Sequence, residues 1–96
     1  MDEATQAAAS GLVGMVVTSR AGRDAGERYV VVATAGTDTV LVADGRRRSA
    51  DRPKKKNVKH LSAHGPAEAL AGRLREGGTV SDEELRAAIA AMTEGE

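Results

Sequence analysis

Three short runs rich in β-branched residues, 12–18 (LVGMVVT), 29–34 (YVVVAT) and 39–43 (TVLVA), set the terms for this chain. Each ends in turn chemistry: Ala21-Gly22-Arg23-Asp24-Ala25-Gly26, then Gly36-Thr37-Asp38, then Asp44-Gly45. Strands this close together leave no room for a helical crossover. The expected architecture is therefore a small antiparallel sheet or barrel rather than alternating βαβ units.

What can fill such a sheet is restricted. Tyr29 is the single aromatic residue and Phe and Trp are absent, so Val, Leu, Ala, Ile and Met must make the core. At 96 residues the chain is the size of one domain, and a domain of this size buries only about 60–65 % of its unfolded surface. Large enclosed pockets are not expected. The absence of cysteine excludes disulfides, thiolate metal sites and cysteine nucleophiles, and makes the reducing cytoplasm the default compartment. Met1-Asp2-Glu3 is acidic where a signal peptide is basic, and residues 12–17 are too short to span a bilayer, so no membrane association is expected.

Residues 1–10 (MDEATQAAAS) have no usable period and are expected to be a disordered leader. Residues 46–57 (RRRSADRPKKKN) are too polar for core, and Pro53 restricts any strand there to an edge or bend. Val58-Lys59-His60-Leu61 is expected to be a short closing strand. The barrel unit is thus placed at 11–62 and an acidic helical extension at 63–96. Within the extension, Pro66 suits a first helical position, Leu70 and Leu74 fall four apart, and Gly77-Gly78 supply a stop. A second helix has Ser81 as N-cap, Glu84 completing a capping box, and Val80 placed to staple against Leu85. Its apolar stripe of Leu85, Ile89 and Met92 is narrow, and helices this short need a surface to dock on.

The stretch from Val13 to Val32, a strand, a glycine-containing loop and a second strand with Gly26 at the characteristic position, resembles the KOW motif of ribosomal and transcription proteins. Asp44-Gly45, the basic run after it and the helical tail are similar to the extended form found in bacterial KOW-domain RNA-binding proteins, themselves similar to a large-subunit ribosomal protein of archaea and eukaryotes. The resemblance covers roughly residues 11–92. It implies an SH3-like small barrel followed by a helical hairpin, a role in translation, and RNA, ribosomal RNA of the large subunit in particular, as the partner.

Charge segregation agrees with such a partner. The formal net charge is zero, yet residues 14–61 hold eleven Lys/Arg against five Asp/Glu. The candidate RNA contacts are Arg46, Arg47, Arg48, Arg52, Lys54, Lys55, Lys56 and Lys59 in the basic run, Arg20, Arg23 and Arg28 around the first loop, and His60 beside them. Guanidinium forks match phosphate oxygens and lysine supplies a mobile point charge. Gly22, Gly26 and Gly45 are the turn glycines of the pattern. With Tyr29 expected in the core, base stacking has no platform, so contacts are expected to phosphate, sugar and RNA shape.

No catalytic constellation is visible, and no enzymatic activity or cofactor is expected. The first loop lacks the Lys-Ser/Thr ending of a nucleotide-binding phosphate loop, and Glu83 and Glu84 fit a helix's first turn better than acid-base work. His60 and His64 are four apart but off any helix, so they are not expected to hold a metal. The alternative reading is a protein-interaction adaptor of the translation or transcription machinery, using the barrel and the C-terminal helices.

Overall fold

The structure, a computed structural model, describes residues 9–94. A helical turn at residues 9–11 leads into β1 (Met15–Ser19), β2 (Arg28–Thr34), β3 (Thr39–Ala43) and β4 (Lys54–Asn57). A single 3₁₀ turn (Val58–His60) precedes β5 (Leu61–Pro66), and two helices follow, α1 (Glu68–Arg75) and α2 (Asp82–Glu94). The chain is mainly β, as the valine runs require. Of the leader expected over residues 1–10, residues 1–8 lie outside the described residues, while Ala9 is buried in the core.

All five strands form one antiparallel sheet in the order β4-β3-β2-β1-β5. Laid flat, that order would separate β4 from β5 by about 19 Å at the usual strand spacing. Only Val58–His60 joins them, and three residues of 3₁₀ helix rise about 6 Å. The sheet is therefore strongly curled, although β4 and β5 do not pair and it remains open.

Register sorts the side chains onto two faces. Val17 opposes Tyr29, Val31 opposes Val42, and Val42 opposes Lys54, so these residues share the inner face of the curl, with Val40 and Lys56 paired beside them. Val16, Val30 and Ala43 line the opposite face. Both sets of apolar residues are buried, because the helices cover the second face. Leu70 and Leu74 of α1 and Leu85 of α2 complete the core, with Ile89 and Met92 packed against it. The apolar stripe of α2 is thus consumed within the chain.

The end signals of the helices act as the sequence indicates. Gly78 N–H donates to Arg73 C=O at 2.8 Å and Gly77 N–H to Leu74 C=O at 3.0 Å, the paired bonds of a Schellman stop. Glu84 N–H donates to Ser81 Oγ at 3.1 Å and Ser81 N–H to Glu84 Oε1 at 2.9 Å, a reciprocal capping box. The Arg73 guanidinium, 2.9 Å away, and the Ser81 amide hold the Glu84 carboxyl down at about 2.

Two local expectations are corrected. Val58–His60 is a 3₁₀ turn, not a closing strand: Asn57 Oδ1 accepts from Lys59 N–H at 3.0 Å and turns the chain through the corner, so β5 starts only at Leu61. Pro66 does not open a helix. It ends β5 opposite Met15, where a residue without an N–H is tolerated, and α1 begins at Glu68. The expected boundary at 62/63 falls inside β5.

Candidate nucleic-acid interface

In an antiparallel meander the β1–β2 and β3–β4 loops share one end of the sheet, which here brings residues 20–27 beside residues 44–53. A buried carboxylate ties the first loop to β4, the strand that follows the second. Asp24, in the first loop, receives Lys56 Nζ at 2.8 Å, Tyr29 Oη at 2.7 Å, Lys54 Nζ at 3.1 Å and Ser19 Oγ at 3.0 Å. Lys56 also donates to Ser19 Oγ at 2.9 Å and to Ala21 C=O at 3.1 Å. These bonds connect β4 to β1 across the open side of the curl, where the ladder supplies none.

The site's electrostatics follow from this geometry. Burial by itself would raise the pKa of Asp24, but hydrogen bonds from Lys56, Tyr29, Lys54 and Ser19 outweigh it and hold the carboxyl far below its ordinary value. Burial, followed by the hydrogen bond to Asp24, pushes the Tyr29 phenol well above its own. Charged Asp24 and neutral Tyr29 are thus the stable forms across the physiological range.

The second loop is shaped by another buried acid. The Asp44 carboxylate accepts the backbone N–H groups of Arg46 at 2.9 Å and Arg48 at 3.0 Å, while Asp44 N–H returns to Arg48 C=O at 3.0 Å. Arg46, Arg47 and Arg48 therefore stand on a braced turn rather than a slack loop. Helix α2 supports it from below. Asp82 Oδ1 accepts Ala50 N–H at 2.7 Å, and Arg86 Nη1 donates to Gly45 C=O at 2.6 Å. Gly45 has φ +80, and a Cβ there would collide with the Asp82 carbonyl, so both the backbone and the helix contact demand glycine. Gly22 (φ +88) and Gly26 (φ +94) hold left-handed turns in the first loop.

The candidate residues separate into two groups. Arg20, Arg23, Arg46, Arg47, Arg48 and Arg52 are exposed on the paired loops, with Arg47 3.7 Å from Glu27 across the seam between them. Lys55 is exposed on the outer face of β4, and Lys59 on the 3₁₀ turn. His60 is half-buried, and its C=O accepts Arg20 N–H at 2.7 Å. Arg28, also half-buried, donates to Thr93 Oγ1 at 3.1 Å. Lys54 and Lys56 face inward: the Lys56 side chain is 9 % exposed and committed to Asp24, and Lys54 shares the same carboxylate. Arg86 was not singled out by charge clustering because it sits in an acidic helix. It is the single cation between Asp82 and Glu94, and that was the available signal.

On the far side of α2, Pro66, Ala67 and Leu70 form an open apolar groove with Ala87, Ala88, Ala91 and Met92. Among the described residues, no group of three or more His, Asp or Glu is placed to hold a metal ion, and no helix is long and apolar enough to cross a membrane. The chain matches no protein-family model and none of the curated proteins compared with it.

Proposed function

We propose that this chain is a KOW-type RNA-binding protein with an SH3-like small barrel, acting on structured ribosomal RNA through backbone phosphates. The barrel reading is supported by the curled five-strand order and by the 3₁₀ turn that carries β4 back to β5. Turn glycines at Gly22, Gly26 and Gly45 agree with the motif it resembles. The observation that carries the RNA reading is the display of Arg20, Arg23, Arg46, Arg47, Arg48 and Arg52 on two neighbouring loops at one end of the sheet, the first tied to β4 through Asp24 and the second braced by Asp44.

Preorganisation matters because an arginine already held in place loses less side-chain freedom on meeting phosphate. With Tyr29 buried and no other aromatic, phosphate and sugar contacts dominate and sequence discrimination rests on RNA shape. Binding of purified protein to large-subunit ribosomal RNA, followed across salt, tests this. Neutralising about five phosphates gives a log–log slope of about −3.5 to −4.5. A flat salt response excludes the mechanism.

The apolar groove beside α2 favours a second reading, an adaptor for a protein of the translation or transcription machinery. Leu85 and Ile89 serve the core, so Ala87 and Ala91 are the positions that probe it. Under that reading, partner capture survives nuclease treatment and is lost when Ala87 and Ala91 become Glu.

A further inference from the structure

A hollow lies at the seam between α2 and the two loops, and three arginines distant in sequence line it: Arg28 at the start of β2, Arg46 in the braced turn and Arg86 in α2. Gly26, Glu27, Asp44, Ile89, Ala90 and Thr93 complete the lining, and Thr93 Oγ1 accepts from Arg28 at 3.1 Å. The two carboxylates at its border are already engaged. Asp44 accepts the backbone of Arg46 and Arg48, and Glu27 faces Arg47. Arg86 is held by the uncharged Gly45 carbonyl, which fixes one N–H and leaves the rest of the fork, and Arg46 makes no side-chain hydrogen bond or ion pair among the described residues. In the first turn of α2, Glu84 meets Arg73 and Asp82 meets Ala50; the helix also carries Glu83 there and Glu94 at its last position.

Resting on the RNA reading, we propose that this hollow seats one phosphate of the bound RNA, with Arg86 as a contact supplied by the acidic helix and the adjoining ribose against Ile89 and Ala90. The guanidinium forks of Arg46 and Arg86, from two separate elements, suit the several oxygens of a phosphate, with the charge of Arg28 beside them, and the aliphatic surface nearby suits the apolar side of a sugar. The helical extension is then part of the binding surface, and its docking on Gly45 is what completes the hollow.

The test uses the full chain and large-subunit ribosomal RNA as the probe, with affinity measured over a salt series and folding checked by thermal unfolding. Arg86→Gln weakens binding about five- to tenfold and makes the salt slope shallower by about 0.7–0.9. Ala90→Glu breaks no bond, places a carboxylate in the hollow, and costs more than about tenfold in affinity. Ala87→Glu adds the same charge on the groove side of α2 and changes affinity less than about twofold.

Wild-type affinity in both Arg86→Gln and Ala90→Glu, or equal losses in Ala87→Glu and Ala90→Glu, overturns the proposal while the RNA reading stands. Absence of RNA binding by the wild-type chain removes both. Inorganic phosphate distinguishes a free-anion site: if it shifts the Arg86 side-chain NMR signals while Arg86→Gln leaves RNA affinity intact, the hollow takes a small anion and the RNA assignment fails.

Discussion

Asp24→Asn removes the charge on which four donors converge and strands Lys56, whose side chain is 9 % exposed, against an amide. Breaking one side of a buried ion pair costs about 3–5 kcal/mol, because the remaining charge is left without compensation. A domain of 96 residues has a total stability of about 5–14 kcal/mol. The loss is therefore a large fraction of the whole, and lowers the unfolding midpoint by on the order of 20 °C. Urea and thermal unfolding by circular dichroism measure it. Adding Lys56→Met to Asp24→Asn removes the stranded ammonium and recovers at least about 1.5 kcal/mol as a coupling energy in a double-mutant cycle. Lys54 is one-third exposed and can turn to solvent, so Lys54→Met gives a smaller recovery. A loss below about 1 kcal/mol in Asp24→Asn, the scale of an exposed pair, or no recovery with Lys56→Met, refutes the view that this network ties β4 to β1 and the first loop.

The same carboxylate dictates the acid limb of stability. Below its ordinary value near 3.8, the unfolded chain takes up a proton at Asp24 that the folded state refuses, so stability present above pH 4 is lost as pH falls, and Asp24→Asn flattens that limb in a pH series of urea midpoints. Tyr29 acts at the other end: above pH 10 the unfolded phenol ionises while the folded one keeps its proton, so stability falls with rising pH and Tyr29→Phe reduces the alkaline slope. Gly45→Ala meets both a left-handed backbone and the Asp82 carbonyl, and costs about 2–4 kcal/mol, with amide exchange in α2 accelerating more than in β1 and β2. Ser81→Ala removes half of the capping box and costs about 1 kcal/mol by the same unfolding assay.

How far the sequence determined these features can be argued element by element. β2 and β3 follow from runs whose β-branched side chains fit a pleated, buried surface, and the ends of α1 and α2 follow from local hydrogen-bonding chemistry in Gly77-Gly78 and Ser81/Glu84. β4 was hidden because Lys54-Lys55-Lys56-Asn57 has the composition of a solvated loop. Its strand character depends on pairing with β3, and period two then turns Lys54 and Lys56 toward Asp24 and Lys55 toward solvent. β5 was misplaced because Ser62-Ala63-His64-Gly65 has little β preference of its own, and its pairing with β1 is a tertiary effect. Within the candidate site, the arginines of residues 46–48 were legible as a charge run, whereas the commitment of Lys56 and the presence of Arg86 depend on which elements meet.

The most direct test of the central claim is sedimentation of the tagged full chain from cell extract on a sucrose gradient, beside a variant with Arg46, Arg47, Arg48 and Arg52 changed to Gln. Lys54 and Lys56 are left intact in that variant, so the Asp24 network persists. The account predicts that the wild-type chain migrates with the large ribosomal subunit, that nuclease releases it, and that the variant stays at the top of the gradient while remaining folded. Migration of both proteins as free chains, or co-migration that the variant retains, contradicts it.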